Sequence, residues 1–140
     1  MEKIIIHTDG GARGNPGPAG IGVVISDAEG NVLANISKYI GEQTNNFAEY
    51  EALIIALAAV REMFGSKIHD MQVTVYMDSE LVVRQLTGAY RVKDPALKEQ
   101  FARVGQLAGT LKHISYNHVY REKNANADKL VNAAIDEAGK

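Results

Sequence analysis

Four acidic residues occupy positions from which carboxylates can take part in chemistry. Asp9 and Asp78 each follow an apolar run that is typical of a β-strand, while Glu49 and Asp128 each lie near the start of a predicted helix. The carboxyl ends of strands are where sheets with α/β crossovers bind ligands. Taken singly, each residue is also explained as a turn acid, a helix cap or a first-turn acid that complements the helix dipole. The chemistry therefore depends on whether the four converge.

A convergent set of this kind would require divalent cations. Four carboxylates in one place repel one another strongly unless positive charge is bound between them. Oxygen ligands without histidine or cysteine suit Mg²⁺ or Mn²⁺. Two such ions held about 4 Å apart activate a water molecule and stabilise the leaving oxygen in phosphoryl chemistry. If the strands that precede Asp9 and Asp78 are neighbours, the sequence predicts a metal site for that chemistry.

The elements that must position these residues follow from hydrophobic patterning. Short apolar runs bounded by turn residues predict strands, and apolar residues at helical spacing predict helices. The predicted strands cover residues 3–8, 21–26, 31–40, 72–77 and 114–120, and the predicted helices cover residues 46–64, 79–86, 95–108 and 126–138. The order β-β-β-α-β-α-α-β-α indicates an α/β (α+β) fold. Its five-stranded mixed sheet is flanked by helices and begins with an antiparallel meander.

Several local expectations depend on single residues. The segment Asp9-Gly10-Gly11 is typical of a turn after the first strand, and a loop rich in glycine and proline follows over residues 10–20. Asn46 is the predicted cap of the first helix, with Glu49 in a capping-box position. That helix is expected to bury one apolar stripe, formed by Tyr50, Leu53, Ile54, Leu57 and Ala58.

Length and composition limit the class of protein. The chain has 140 residues, 46% of them hydrophobic, which predicts a single domain over residues 1–140 with a substantial core. The absence of cysteine excludes disulfides, zinc ribbons and thiol nucleophiles. No run approaches the ~20 apolar residues of a membrane span, and the N-terminus leads into a strand rather than a targeting segment. We expect a cytoplasmic monomer without a membrane partner.

The net charge of −2 conceals an uneven distribution. Residues 1–83 contain five basic and eleven acidic side chains, whereas residues 84–129 contain nine basic and four acidic ones. A local basic face matters more for nucleic-acid binding than the overall charge, so a nucleic-acid partner is not excluded. The residues that could form such a face, or an ordinary solvated surface, are Arg84, Arg91, Lys93 and Lys98.

Four separated motifs resemble type 1 ribonuclease H. They are Thr8-Asp9-Gly10-Gly11 with Gly14-Asn15-Pro16-Gly17, Thr44-Asn45-Asn46 with Glu49-Tyr50, Asp78-Ser79 with Leu81-Val82, and Asn126 with Asp128 and Leu130-Val131. The motifs occur in the family's order and span essentially the whole chain. The predicted order of elements is also that of the ribonuclease H fold.

The resemblance implies a sequence-nonspecific endonuclease that hydrolyses the RNA strand of an RNA–DNA hybrid and leaves 5′-phosphate and 3′-hydroxyl ends. It implies a two-metal-ion mechanism with Mg²⁺, or alternatively Mn²⁺. The catalytic and metal-binding residues are then Asp9, Glu49, Asp78 and Asp128. The positions that match contacts to the minor groove, including the 2′-hydroxyls of the RNA, are Gly10, Gly11, Asn45 and Asn46. Asn15 matches a substrate-binding position, and Thr44 matches a threonine that helps to hold a phosphate of the DNA strand.

The sequence departs from the better-known bacterial members of the family at three places. Glu80 stands where they carry a glutamine, so one contact to the hybrid is expected to be lost or altered. Only residues 88–94 separate two of the helices, which predicts that the family's basic protrusion is absent and that the form is compact. The loop of residues 121–124 lacks the catalytic histidine usual there, and Arg121 or Glu122 could partly replace it.

The histidines elsewhere are not expected to fill this role. His118 lies ten residues before Asp128, but its alternation with neighbouring residues places it in the last predicted strand rather than in a mobile loop. His7 and His69 are interpreted as structural. The resemblance and the missing imidazole together predict an enzyme that works without a catalytic histidine.

Two other functions stay open. The chain could be a catalytically silent module that binds hybrids, or the nuclease core of a reverse transcriptase or transposase. Retention of all four acids argues against a silent module, because clustered like charges are costly to keep without metal. The short chain without a fused polymerase argues against the second alternative.

Overall fold

The computed structural model describes residues 2–140. Its strands are β1 (Lys3–Ala12), β2 (Gly17–Asp27), β3 (Val32–Gln43), β4 (Gln72–Met77) and β5 (His113–His118). Its helices are α1 (Asn45–Phe64), α2 (Glu80–Leu86), α3 (Pro95–Ala108) and α4 (Ala125–Ala138), with short 3₁₀ turns at Gly65–Asp70 and Arg121–Asn124. This order of strands and α-helices is the predicted one. Within residues 2–140, no helix is long and apolar enough to cross a membrane.

Strand β1 is the centre of a five-stranded mixed sheet with the order β3-β2-β1-β4-β5. It pairs antiparallel with β2 and parallel with β4, and the parallel pairing ends with Thr8 opposite Met77. Strand β5 extends the parallel part, and β3 extends the antiparallel part. Asp9 and Asp78 directly follow the last pair of β1 and β4, so they lie side by side. The adjacency on which the predicted site depends is therefore present.

The core lies between the sheet and α1, with α3 packed against α1. Most of the predicted apolar stripe of α1 is buried, namely Tyr50, Leu53, Ile54 and Leu57. Ala58 is exposed, contrary to the prediction, because it lies about 100° round the helix from Leu57 and faces away from the sheet. Ala56 and Val60 complete the buried face instead.

Strand β1 continues through the segment that the sequence predicts as a turn. Gly10 pairs with Ile21 and Gly11 pairs with Gly20, so the loop between β1 and β2 is confined to residues 13–16. The predicted end of the first strand at residue 8 and the predicted loop over residues 10–20 are wrong. The paired glycines of this segment lie in the strands rather than in a turn. Because they lack a Cβ atom, α1 and α4 can pack closely on the two faces of the sheet.

Thr44, rather than Asn46, caps α1. The Thr44 hydroxyl accepts a hydrogen bond from the Phe47 backbone N–H at 3.2 Å, which satisfies one of the free donors at the helix start. The helix therefore begins two residues earlier than the predicted cap would allow. Strand β5 ends at His118 opposite Met77, since β4 offers no further partner, so Tyr120 lies outside the strand in which the sequence places it. Strand β3 continues to Gln43, three residues beyond its predicted end at residue 40.

Candidate active site

The structure brings three of the four predicted acids into one cluster. Asp9, Glu49 and Asp78 each offer a carboxylate oxygen, and these oxygens lie within 4.8 Å of one another. Asp9 and Glu49 are only 7% and 6% exposed. Carboxylates so close and so buried are suited to holding a hard divalent cation.

Gly10 explains why Glu49 reaches Asp9. The Gly10 backbone N–H donates a hydrogen bond to Glu49 Oε1 at 3.2 Å. A Cβ atom at Gly10 would overlap the carbonyl group of Ala48 and would lie 2.6 Å from the Glu49 nitrogen. Helix α1 can therefore approach β1 this closely only because residue 10 has no side chain. The glycine that follows Asp9 thereby positions the second acid of the cluster.

Asp128 reaches the same cleft from the opposite side of the sheet. Helix α4 packs on β2 at Gly22, where an added Cβ would overlap the Ala127 carbonyl oxygen. This close approach places Asp128, the next residue, in the cleft that Asp9 lines. Asp128 is not part of the group within 4.8 Å among residues 2–140. The fourth acid is therefore outside this three-residue group, yet it lines the same cleft and lies close enough to Asp9 to help raise the pKa of Asp9.

The electrostatics of the cluster favour a bound cation. Burial, followed by repulsion from Asp78, raises the pKa of Asp9 to about 7. Burial and the neighbouring Asp9 raise the pKa of Glu49 well above its usual value. Within the described residues, the buried Glu49 Oε2 has no hydrogen-bond partner. An all-oxygen donor set with a free buried oxygen, whose carboxylates repel one another when ionised, fits Mg²⁺ or Mn²⁺.

An open cleft of about 500 Å³ surrounds the cluster. Besides the four acids, it is lined by polar groups from the β1–β2 region, the start of α1 and the face of α4. Among them are Gly10, Gly11, Asn45 and Asn46, all of which the sequence singles out. Arg121 also lines the cleft, from the 3₁₀ turn before α4.

Side chains of Asn15 and Asn45 join the β1–β2 loop to the start of α1. Asn45 Oδ1 accepts a hydrogen bond from the Ala12 N–H at 2.8 Å, and Asn15 Oδ1 accepts one from the Asn45 N–H at 3.0 Å. Both carbonyl oxygens are used in this way, which leaves the two side-chain NH₂ groups as donors. Thr44, Asn15 and Asn46 also line a second groove that continues from the cleft towards α3.

Other predicted residues lie outside the cleft. Glu80 forms an exposed ion pair with Arg84, at 2.8 Å from its Nε. Glu122 lines a separate cavity of about 270 Å³ together with His7. His118 is exposed at the end of β5, and its ring packs edge-on against Tyr120 at 5.5 Å. Of the residues considered as substitutes for a catalytic histidine, only Arg121 faces the acids.

Three basic residues of the predicted patch, Arg84, Arg91 and Lys98, lie beside two exposed aromatic rings, whereas Lys93 does not line the groove. A groove between α2 and α3 is lined by Arg91 and Lys98 together with Tyr90 and Phe101. The Arg84 guanidinium lies over the Tyr90 ring at 5.5 Å. The groove therefore combines cations and aromatic faces, which are the groups that bind phosphates and stack on bases or sugars.

Two residues of the cleft have no counterpart in the sequence-based predictions. Arg13 is held across the cleft by α4, with Nη1 2.7 Å from the Asp136 carboxylate and Nη2 donating to Asn132 Oδ1 at 3.2 Å. Asn132 Nδ2 in turn donates to the Asp128 carbonyl at 3.1 Å. Position could have indicated both residues, because Arg13 lies inside the glycine-rich motif and Asn132 lies one helical turn after Asp128.

Comparison with known proteins places this geometry in a family. The family model described as "Reverse transcriptase-like" matches residues 7–134. The chain is 42% identical over 137 residues to the bifunctional protein Rv2228c of Mycobacterium tuberculosis. That alignment covers 97% of this chain and 36% of the relative. The chain is 40% identical over 136 residues to ribonuclease HI of Halobacterium salinarum, covering 97% of this chain and 66% of that one. The chain thus spans about a third to two thirds of these relatives.

Solved structures resemble the chain over its whole length. LC11-RNase H1, isolated from compost by a metagenomic approach, has 60% sequence identity and a TM-score of 0.94, with 100% of both chains covered. The crystal structure of that protein in complex with an RNA/DNA hybrid matches with 59% identity and a TM-score of 0.94, covering 98% of this chain and 99% of that one. These likenesses extend to the segments that carry the acids.

Proposed function

Because the chain belongs to the type 1 ribonuclease H family, in a compact form, we propose that it is an endonuclease for RNA–DNA hybrids. The proposed activity depends on a metal ion and hydrolyses the RNA strand. The observation that carries the proposal is the convergence of Asp9, Glu49 and Asp78 beside Asp128 in one open cleft. The complex of the similar LC11-RNase H1 with an RNA/DNA hybrid supports the choice of substrate.

The acids of the cleft would hold two Mg²⁺ ions, or Mn²⁺ in their place. Bound there, the ions supply an activated water and charge stabilisation for the leaving 3′-oxygen, which leaves 5′-phosphate and 3′-hydroxyl ends. Glu49 is locked in place by the Gly10 N–H, so its free oxygen stays directed to the cluster. Asp128 lines the same cleft and would complete the set of acids around the ions.

Recognition of the RNA strand is assigned to the wall formed by β1 and the start of α1. The backbone of Gly10 and Gly11 lies in the cleft without side chains to hold a sugar away. The NH₂ groups of Asn45 and Asn46 are suitable donors to a 2′-hydroxyl, which is the group that distinguishes RNA from DNA. Thr44 and Asn15, in the adjoining groove, would bind a phosphate of the DNA strand.

We propose that no histidine takes part in the chemistry. His118 is not among the residues that line the cleft, and Glu122 lines a different cavity. Arg121 is the group at the rim that can approach a phosphate of the substrate or product. Its role would be electrostatic, because a guanidinium does not exchange its proton at neutral pH.

The alternative functions make different demands on the same residues. A silent hybrid-binding module has no use for the buried, mutually repelling Asp9 and Glu49, whose raised pKa values show the cost of keeping them. The "Reverse transcriptase-like" family description leaves a role as the nuclease core of a longer protein as the second candidate. In either protein context, the proposed reaction of the cleft is the same.

We further propose that residues 1–140 form a single ribonuclease H domain that acts in the cytoplasm as a monomer. The similar LC11-RNase H1 is covered over 100% of its length by this chain, which supports a self-sufficient domain of this size. The cleft is assembled from one copy of the chain, and size-exclusion chromatography with light scattering tests the monomeric state.

Cleavage of end-labelled duplexes tests the proposed activity directly. RNA–DNA, RNA–RNA and DNA–DNA duplexes of one sequence are incubated with Mg²⁺, with Mn²⁺ and with a chelator. The proposal predicts cuts in the RNA strand of the hybrid, with either metal and not with the chelator. Binding of the hybrid without cleavage under every metal condition would instead support the silent module.

A further inference from the structure

Asn124 stands at the N-cap position of α4 but does not cap the helix. Asparagine is among the preferred N-cap residues because its side-chain oxygen accepts a hydrogen bond from the first helical turn. Here the side chain makes no such bond. Its Nδ2 instead donates to the Thr8 carbonyl oxygen at 2.8 Å, across 116 residues of sequence. The Asn124 side chain therefore makes a long-range hydrogen bond to β1 in place of the local bond that would cap α4.

The hydrogen bond ends on the residue before Asp9. Thr8 is also where the parallel pairing of β1 with β4 stops, opposite Met77 and directly before Asp78. On the other side, Asn124 follows Arg121 by three residues and precedes Asp128 by one helical turn. One side chain thus connects the segment that carries Arg121 and Asp128 to the strand that carries Asp9.

The surroundings of Asn124 indicate that this connection is rigid. Its side chain lies in the interior, with the residue 1% exposed, and Thr8 is fully buried. Asn124 Oδ1 has no hydrogen-bond partner among residues 2–140. The hydrogen bond from Nδ2 to Thr8 is therefore the side-chain contact that fixes Asn124 among the described residues.

We infer that Asn124 is a positioning residue, whose amide sets the place of Asp128 and Arg121 relative to Asp9. The inference rests on the proposed ribonuclease activity, since it assigns a role within that site. Asn124 does not touch substrate, and its effect is carried by the segment from residue 121 to residue 128. Loss of the hydrogen bond is expected to let this segment move while the core stays folded.

Gln100 offers a matched control for the substitution. It is also a buried amide, 4% exposed, whose Nε2 donates to a backbone carbonyl, that of Phe47, at 3.0 Å. Its Oε1 likewise has no partner within the described residues. Both substitutions therefore remove a buried amide that donates to a backbone carbonyl, one beside the acids and one between α3 and α1; Gln100→Ala also removes a longer hydrogen bond from Nε2 to Glu51 Oε1 at 3.4 Å.

The experiment compares kcat, KM and Tm of the parent, Asn124→Ala and Gln100→Ala on an RNA–DNA hybrid, well below the lowest Tm. We expect Asn124→Ala to lower kcat by about 10- to 100-fold, the scale of a misplaced catalytic group, with KM changed by less than about threefold. Gln100→Ala should lower Tm to a similar degree and keep kcat within about threefold of the parent. If Asn124→Ala does not fold, the smaller change Asn124→Ser replaces it.

A second readout separates this inference from the proposed activity. The rise in Tm on adding Mn²⁺ measures metal binding without catalysis, and it should be smaller in the Asn124 variant than in the parent or Gln100→Ala. An inactive parent would refute the proposed function, and the Mn²⁺ effect would still test Asn124. The positioning role is overturned if Asn124→Ala matches Gln100→Ala in kcat and in the Mn²⁺-induced rise in Tm.

Discussion

When no cation is bound, the surroundings of Asp9 disfavour its ionised form. Burial and the nearby Asp78 raise its pKa from 3.8 to about 7, so the folded chain keeps this proton at pH values where the unfolded chain has lost it. A raised folded pKa contributes stability that is complete below the unfolded value and is lost as the pH rises through the folded value. The metal-free protein should therefore lose this contribution between pH 4 and 7.

Asp9→Asn should make the metal-free protein more stable than the parent at pH 8, and the advantage should shrink towards pH 5. The shift of about three pKa units sets an upper limit of about 4 kcal/mol on this difference. Burial lowers the pKa of His7, which works in the opposite direction, but the variant retains His7 and the comparison cancels it. Thermal unfolding followed by circular dichroism in chelator measures the effect. A parent that is more stable than Asp9→Asn at pH 8 would contradict the assignment.

Asn46 can be tested as a recognition residue without disturbing the helix cap, because Thr44 provides the cap. Asn46→Ala should lower kcat/KM on a hybrid by about 5- to 30-fold, which corresponds to the 1–2 kcal/mol of one or two hydrogen bonds. Its Tm should stay close to that of the parent. Asn45→Ala is the contrasting variant, since it also removes the acceptor of the Ala12 N–H and should lower Tm. A loss of Asn46→Ala activity that is explained by unfolding would remove the recognition role.

His118 tests the proposal that the chemistry needs no imidazole. Its exposed ring contacts Tyr120 rather than the cleft. His118→Ala should therefore reduce turnover at neutral pH by less than about tenfold, against the 10²–10⁴ expected of a general acid–base residue. Arg121→Ala and Glu122→Ala, assayed alongside, show whether Arg121 in the cleft has the larger effect. A hundredfold loss in folded His118→Ala would identify it as the missing catalytic histidine.

At the scale of elements, the approach of α1 to β1 depends on Gly10. Gly10→Ala introduces a Cβ that overlaps the Ala48 carbonyl, so α1 must shift and carry Glu49 with it. We expect a loss of about 1–3 kcal/mol in the free energy of unfolding, as for other overpacked sites, together with a loss of activity. Gly11→Ala is the stability control, because its Cβ would lie 3.8 Å from Val131 in ordinary contact. Chemical denaturation measures the free energy of unfolding of both variants. Equal values would contradict the claim that residue 10 must lack a side chain for α1 to pack on β1.

The elements also show which features of the fold are readable from sequence. Apolar runs define β4 to the residue, and the same kind of run places Asp9 and Asp78 directly after the paired parts of β1 and β4. The glycines of β1 and β2 are ambiguous, because glycine marks both a turn and a place where a helix approaches the backbone. Only the position of α1 and α4 on the two faces of the sheet decides between these meanings.

The residue that caps α1 is a second feature that the sequence alone does not identify. Thr44, Asn45 and Asn46 are all competent N-cap residues in sequence, and β3 ends directly before them. Which one caps α1 depends on the tertiary hydrogen bonds that occupy Asn45. Such long-range bonds, like the one from Asn124 to Thr8, leave no periodic signal in the sequence.

In the whole molecule, the acidic and basic parts of the sequence contribute to two different surface regions. The acidic N-terminal part supplies Asp9, Glu49 and Asp78, whereas Arg91 and Lys98 line the groove beside Tyr90 and Phe101. Metal would neutralise the first region, and the second is already suited to a phosphate backbone. The sequence supports the four acids through the family resemblance, while the anchoring of Arg13 by α4 becomes visible only when both ends of the chain are brought together.

Metal-dependent catalysis by the clustered acids is tested by hybrid cleavage with Asp78→Asn, and with Asp9→Asn beside it, in Mg²⁺. Both side chains belong to the cluster within 4.8 Å, so each substitution would remove a proposed metal ligand while changing the size of the side chain very little. We expect a loss of activity on the order of 10³-fold or more, with Tm in chelator unchanged or raised. Activity within about tenfold of the parent in either folded variant would contradict a metal-dependent mechanism at these acids.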